Sequence, residues 1–168
     1  YSGGGISPDT TVSAKLKSDF VKDLLAKGMI FEFVNGFYEK NKSLKFENLN
    51  ENLILDEFNS FLKKKKYEFK HPKIVQLNEL ILTFGQDKNY VHLQGKIEEL
   101  KKEIEKTSKN ILDLHKTETA NEILLELAGR YHDSGFRIKY RLTDDVQFKT
   151  ALDIINNKSL YRKLLALN

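Results

Sequence analysis

Only two prolines occur in 168 residues, Pro8 and Pro72. Proline ends or kinks helices and is confined to the edges of sheets. A chain almost free of it, with apolar residues at spacings of three and four, is built from long helices joined by short turns. From Val12 onward the sequence has that character. Leu16, Phe20, Leu24 and Leu25 form one stripe, and Gly28 interrupts it before Ile30, Phe31, Val34, Phe37 and Tyr38 resume. The spacing predicts helices over about 14–27, capped by Ser13, and over about 29–42. Further stripes predict helices over about 51–65, 72–85, 117–132, 144–156 and 160–167. Gly85 is the expected C-terminal cap of the helix that Pro72 opens, and Thr143 or Asp144 is the expected N-terminal cap of 144–156.

The most regular stretch is Tyr90, Leu93, Ile97, Leu100, Ile104, Thr107, Ile111 and Leu114. Alternating steps of three and four describe a heptad seam, predicting one long helix over about 89–115. The rest of that stretch is mostly Lys and Glu, so the seam is narrow and matches a single antiparallel partner, taken to be 117–132. Residues 136–142 depart from this helical spacing. Phe136, Ile138, Tyr140 and Leu142 alternate with Arg137, Lys139 and Arg141. Period two predicts an extended segment, which would need residues 2–8 or 67–69 as a partner. The expectation is an all-α bundle of about six to eight helices with one heptad hairpin and at most a minor two-stranded element.

With 40% hydrophobic residues, a chain of this length buries a core without staples. It has no cysteine, which excludes disulfides, thiolate nucleophiles and cysteine-ligated metal centres. No apolar run is long enough to cross a bilayer. The net charge of +4, from 28 Lys and Arg against 24 Asp and Glu, is a mild excess. It does not point to nucleic acid as a partner. Lys63 to Lys66, next to Tyr67 and Phe69, read as the solvated C-terminal end of a helix, where cations face its partial negative charge.

No catalytic, cofactor-binding or metal-binding residue is assigned. The four histidines, His71, His92, His115 and His132, do not fall in a metal-binding helix signature. His115 and Glu118 share a helix face but lack the second carboxylate–histidine pair of a di-iron bundle. Ser2 and Ser7 flank glycines without a nucleophile elbow. Gly3–Gly5 is followed by Pro8–Asp9–Thr10 rather than by the Lys-Ser or Lys-Thr of a phosphate loop. Six aromatics, Phe31, Phe33, Phe37, Tyr38, Phe58 and Phe61, are candidates for the core.

Gly3-Gly4-Gly5-Ile6-Ser7-Pro8-Asp9 resembles the segment that closes the peptidase domain of C-terminal processing, or tail-specific, serine peptidases. Some bacterial members continue into a helical extension. Asp23-Leu24-Leu25 leading to Gly28, Phe31-Glu32-Phe33, Arg130-Tyr131 and Tyr140…Asp145…Phe148…Ala151 are similar to that extension, in the same order. The resemblance implies that residues 1–12 are the extended tail of a peptidase domain and that 13–168 form a helical C-terminal domain. It implies a serine endopeptidase with a Ser–Lys dyad, in the periplasm or cell envelope, whose catalytic residues and PDZ module lie upstream. Tyr1 as first residue, with Met29 the sole methionine, agrees with a piece of a longer protein. The expected partners are the peptidase domain itself and protein substrates or adaptors. A free-standing helical interaction module is the alternative.

Overall fold

The computed structural model describes residue 5 and residues 8–86 and 88–165. Among them are ten α-helices, two short 3-10 turns and no strand. The all-α expectation holds. The helices are α1 (Asp19–Ala26), α2 (Met29–Lys40), α3 (Glu51–Lys64), α4 (Pro72–Gln86), α5 (Gln94–Ser108), α6 (Ile111–Leu114), α7 (Lys116–Tyr131), α8 (Ser134–Leu142), α9 (Val146–Asn156) and α10 (Lys158–Leu164). They fall into two compact units. One is Lys17–Tyr131; the other joins the N-terminal segment up to Leu16 with the chain from His132 onward.

The first unit carries the core. Phe20, Val21 and Leu24 of α1 meet Ile30, Phe33, Val34 and Phe37 of α2. Ile54, Leu55, Phe58 and Leu62 of α3 and Ala120, Ile123 and Leu127 of α7 complete it. Each set repeats at three and four residues, so each helix turns one stripe inward. Thr119 is the buried polar residue of this layer, and its hydroxyl finds no partner among the described residues.

Local signals set the helix ends. Ser18, rather than Ser13, caps α1: its hydroxyl accepts from the Val21 amide at 3.2 Å. Leu16, 85% exposed, lies outside the stripe that begins at Phe20. The break between α1 and α2 is Gly28, at φ +67°, a left-handed conformation that a side chain disfavours. Asn50 caps α3 by accepting from the Leu53 amide. At the other end of α3, Tyr67 N–H donates to the Leu62 carbonyl and Lys66 N–H to that of Lys63. This is a Schellman motif, but its left-handed position holds Lys66 at φ +53° instead of glycine.

Three further expectations need correction. The stretch 89–115 is not one helix. It divides into a 3-10 turn at Val91–Leu93, then α5 and α6, with the break at the polar residues Lys109 and Asn110. The inward positions of α5 are Ile97, Lys101, Ile104 and Ser108, while Leu100 is 52% exposed. The partner of α5 is α4, and α7 packs on α2 instead. A straight helix drifts away from a seven-residue repeat unless a supercoiled partner holds it there. The second correction concerns 136–142, which is α8. Asp133 accepts from the Phe136 amide at 2.8 Å and starts a helix, and Phe136 and Tyr140 then share a face four residues apart. Of the suggested strand partners, 67–69 is irregular and 2–8 lies mostly outside the described residues. The third is Gly85, which sits inside α4 rather than after it. Gln94 reaches over it to donate to the Ile81 carbonyl at 3.1 Å, and a Cβ at 85 would collide with that amide.

The second unit is described by itself. Asp133, Asp145 and Asn157 each accept an amide proton from the third residue on, capping α8, α9 and α10. Gln147 of α9 donates to the Val12 carbonyl at 2.9 Å. None of these three helices buries a residue fully.

Candidate functional site

The residues that carry chemistry elsewhere serve the fold here. His71 accepts the Lys73 amide proton at 3.2 Å at the start of α4. His115 stacks on Phe20 and stands 3.5 Å from Glu118, and His132 stacks on Phe136. The other oxygen of the Glu118 carboxylate accepts from the Ser18 backbone N–H at 2.7 Å. Among the described residues, no group of three or more His, Asp or Glu could hold a metal ion. Of the glycine motif, only Gly5, Pro8 and Asp9 are described.

The short motifs in the helical region are contacts of the fold. Arg130 lies over the ring of Phe31 at 5.3 Å, and its Nε donates to Asn35 Oδ1 at 3.1 Å. This explains Phe31, the one aromatic of the six that stays on the surface, at 57% exposure. Tyr131 packs edge-on against Tyr38 and donates its hydroxyl to the Asn41 carbonyl. Asp23 accepts from the Tyr67 hydroxyl at 2.6 Å and from Lys27 at 2.8 Å. Burial foremost, then the bond to Asp23 and its charge, push the Tyr67 hydroxyl far above the usual phenol range.

The lysine run is divided by its surroundings. Lys65 pairs with Glu32 and lies against the Phe61 ring. Lys63 lines a cavity of about 390 Å³ with Tyr67, Phe69, Lys70 and Lys109, where Glu68 and Glu105 offset the positive charge. That mixture gives no continuous basic track for a phosphate backbone.

A concave surface of about 610 Å³ forms a groove between α2 and α3. Its floor is Phe33, Phe37, Leu53 and Phe61, and its rim carries Glu32, Lys40, Asp56, Glu57 and Lys64. Phe33 holds the floor together, with ring centroids 5.1–5.7 Å from Phe58, Phe61 and Phe37. Leu53 is 62% exposed although it is a large aliphatic side chain. Gly36, in the middle of α2, leaves open space over the groove: a Cβ there would meet nothing within 4 Å. An apolar floor with a charged rim binds and orients; the Ser60 hydroxyl in its lining donates to the Asp56 carbonyl at 3.0 Å. Sequence reasoning took all six aromatics as candidates for the core and named no groove between α2 and α3. It missed this one, although a glycine inside an otherwise strong helix is a readable signal.

Comparison with known proteins gives one match. A family model described as a probable PDZ-protease, C-terminal helical domain, matches residues 20–155. No curated protein and no solved structure matches the chain. The matched span runs from the first core residue of α1 almost to the end of α9 and includes the Arg130–Phe31 and Tyr67–Asp23 contacts. The chain belongs to the family of C-terminal helical domains of probable PDZ-proteases.

Proposed function

We propose that this domain is the non-catalytic C-terminal part of a C-terminal processing serine endopeptidase of the periplasm or cell envelope. Its role is to scaffold or regulate the peptidase domain and to dock partners for it. The observation that carries this reading is the match to a protease's helical domain over 20–155, directly behind a Gly-Gly-Gly-Ile-Ser-Pro-Asp segment. A free-standing interaction module has no use for that segment. On this reading the nucleophile, base and oxyanion hole belong to the peptidase domain, so the isolated chain hydrolyses no peptide bond. Its contribution is made in cis, covering or positioning the peptidase domain.

The test compares the full-length protease with a version stopped after Val12. The truncated enzyme is expected to differ in its cleavage rate on protein substrates, its stability or its oligomeric state. Equality in all three overturns the scaffolding role.

A further inference from the structure

The charged rim of the α2–α3 groove differs in sign between its two ends. Glu32, Gly36 and Lys40 line it from α2, one turn apart. The Glu32–Lys65 pair and the contacts of Phe33 with Phe58 and Phe61 set the beginning of α2 beside the end of α3. The helices therefore run antiparallel. At the first end, Lys65 neutralises Glu32 and leaves Lys64 as the uncompensated charge. At the other end, two carboxylates, Asp56 and Glu57, outweigh Lys40. None of Lys40, Asp56, Glu57 and Lys64 forms an ion pair among the described residues.

An α-helix carries the complementary polarity, positive at its N-terminus and negative at its C-terminus. From Leu53 to Lys64 the α3 wall is about 16 Å long, or three helical turns. A volume of about 610 Å³ is within the range of clefts that take a few large side chains. We propose that the groove holds an amphipathic helix of another protein, with its N-terminal, basic end at Asp56 and Glu57 and its C-terminal end at Lys64. Apolar side chains spaced at i, i+4 and i+7 seat on Phe33, Phe37, Leu53 and Phe61. A second copy of this chain is a poorer occupant. A stable homodimer buries about 800 Å² per partner, well beyond a groove three turns long and one helix wide.

This inference rests on the docking part of the proposed function. Its probe is a labelled 15-residue amphipathic helix with Leu at those spacings, lysines in its first turn and glutamates in its last. A control peptide has the two charged ends exchanged. Fluorescence anisotropy with the 168-residue chain is expected to show the first peptide binding at least tenfold tighter. Gly36→Gln places a side chain in the open space over the floor and is expected to weaken binding at least tenfold with a melting temperature no lower than that of the native chain, since glycine is the poorer helix former. The double variant Asp56→Lys/Glu57→Lys is expected to reverse the preference between the peptides. Equal binding of both peptides, no binding, or indifference to Gly36→Gln overturns the proposal. So does self-association of the chain that Gly36→Gln abolishes, since the occupant is then a second copy. Failure here leaves the comparison of full-length and truncated protease untouched, and failure there leaves peptide binding untouched.

Discussion

The four-helix body and the α4–α5 hairpin belong to the same unit, yet they are stabilised differently. In the body, α2 lies among α1, α3 and α7, and all four helices contribute fully buried side chains. In the hairpin, the close neighbours of α4 among the described residues are α5 and the 3-10 turn at Val91–Leu93, and neither α4 nor α5 buries a residue. Both regions have amphipathic helices of similar length. Stripe quality therefore does not decide burial; the number of neighbouring helices does. One neighbour covers only part of a helix, and its stripe remains half wet.

Truncating the body should have the largest effect. Phe58 is fully buried and borders Phe33 and Phe61. Phe58→Ala is expected to cost about 3–5 kcal/mol in chemical denaturation. If Ile104→Ala in the hairpin costs as much, the contrast between the regions is wrong.

Next comes the junction. Tyr67 lies between the two regions, packed on Phe20 and bonded to Asp23. Its folded-state pKa is raised, so its contribution is complete below about pH 10, the unfolded value, and is lost as pH climbs beyond it. At this half-exposed site the contribution is about 1 kcal/mol, after allowance for solvent screening. Melting curves of the native chain and Tyr67→Phe should differ at pH 8 and converge above pH 10. A constant gap would show that the hydroxyl is not the source.

Lys66 offers a change of similar size and opposite sign. Glycine removes the penalty of a left-handed side-chain residue, so Lys66→Gly is expected to stabilise by about 1 kcal/mol. A loss instead would mean that the Schellman motif does not set the end of α3.

The smallest effect is expected at Leu100. Because it is half exposed on α5, Leu100→Asp should change stability by less than about 1 kcal/mol. A loss of several kcal/mol would restore the heptad seam that the sequence suggests.

These regions also differ in how much the sequence discloses. In the body, α2, α3 and α7 start and stop within two residues of where their stripes and turn residues put them. Asn50 and Gly28 are local signals with local causes. The hairpin misleads because steps of three and four suit both a coiled coil and an ordinary helix with one neighbour, and the choice depends on a partner distant in sequence. Residues 136–142 mislead because their alternation is compatible with either period. The Asp133 cap decides between them, whereas the cap expected at Thr143 or Asp144 for helix 144–156 falls instead on Asp145. The groove is invisible in the sequence because its floor depends on how Phe33 and Phe61 meet across two helices. Gly36 is the one local hint.

The bonds at the start of α1 have a mechanical consequence. Glu118 and Glu122, one turn apart on α7, hold the Ser18 amide and the Lys17 ammonium. Tension on the chain before Lys17 reaches these two attachments at the base of α1 before it can reach the helix itself. Lys17 and Ser18 are consecutive, so both attachments stand between that pull and the first turn of α1, and the helix is loaded only once they have yielded.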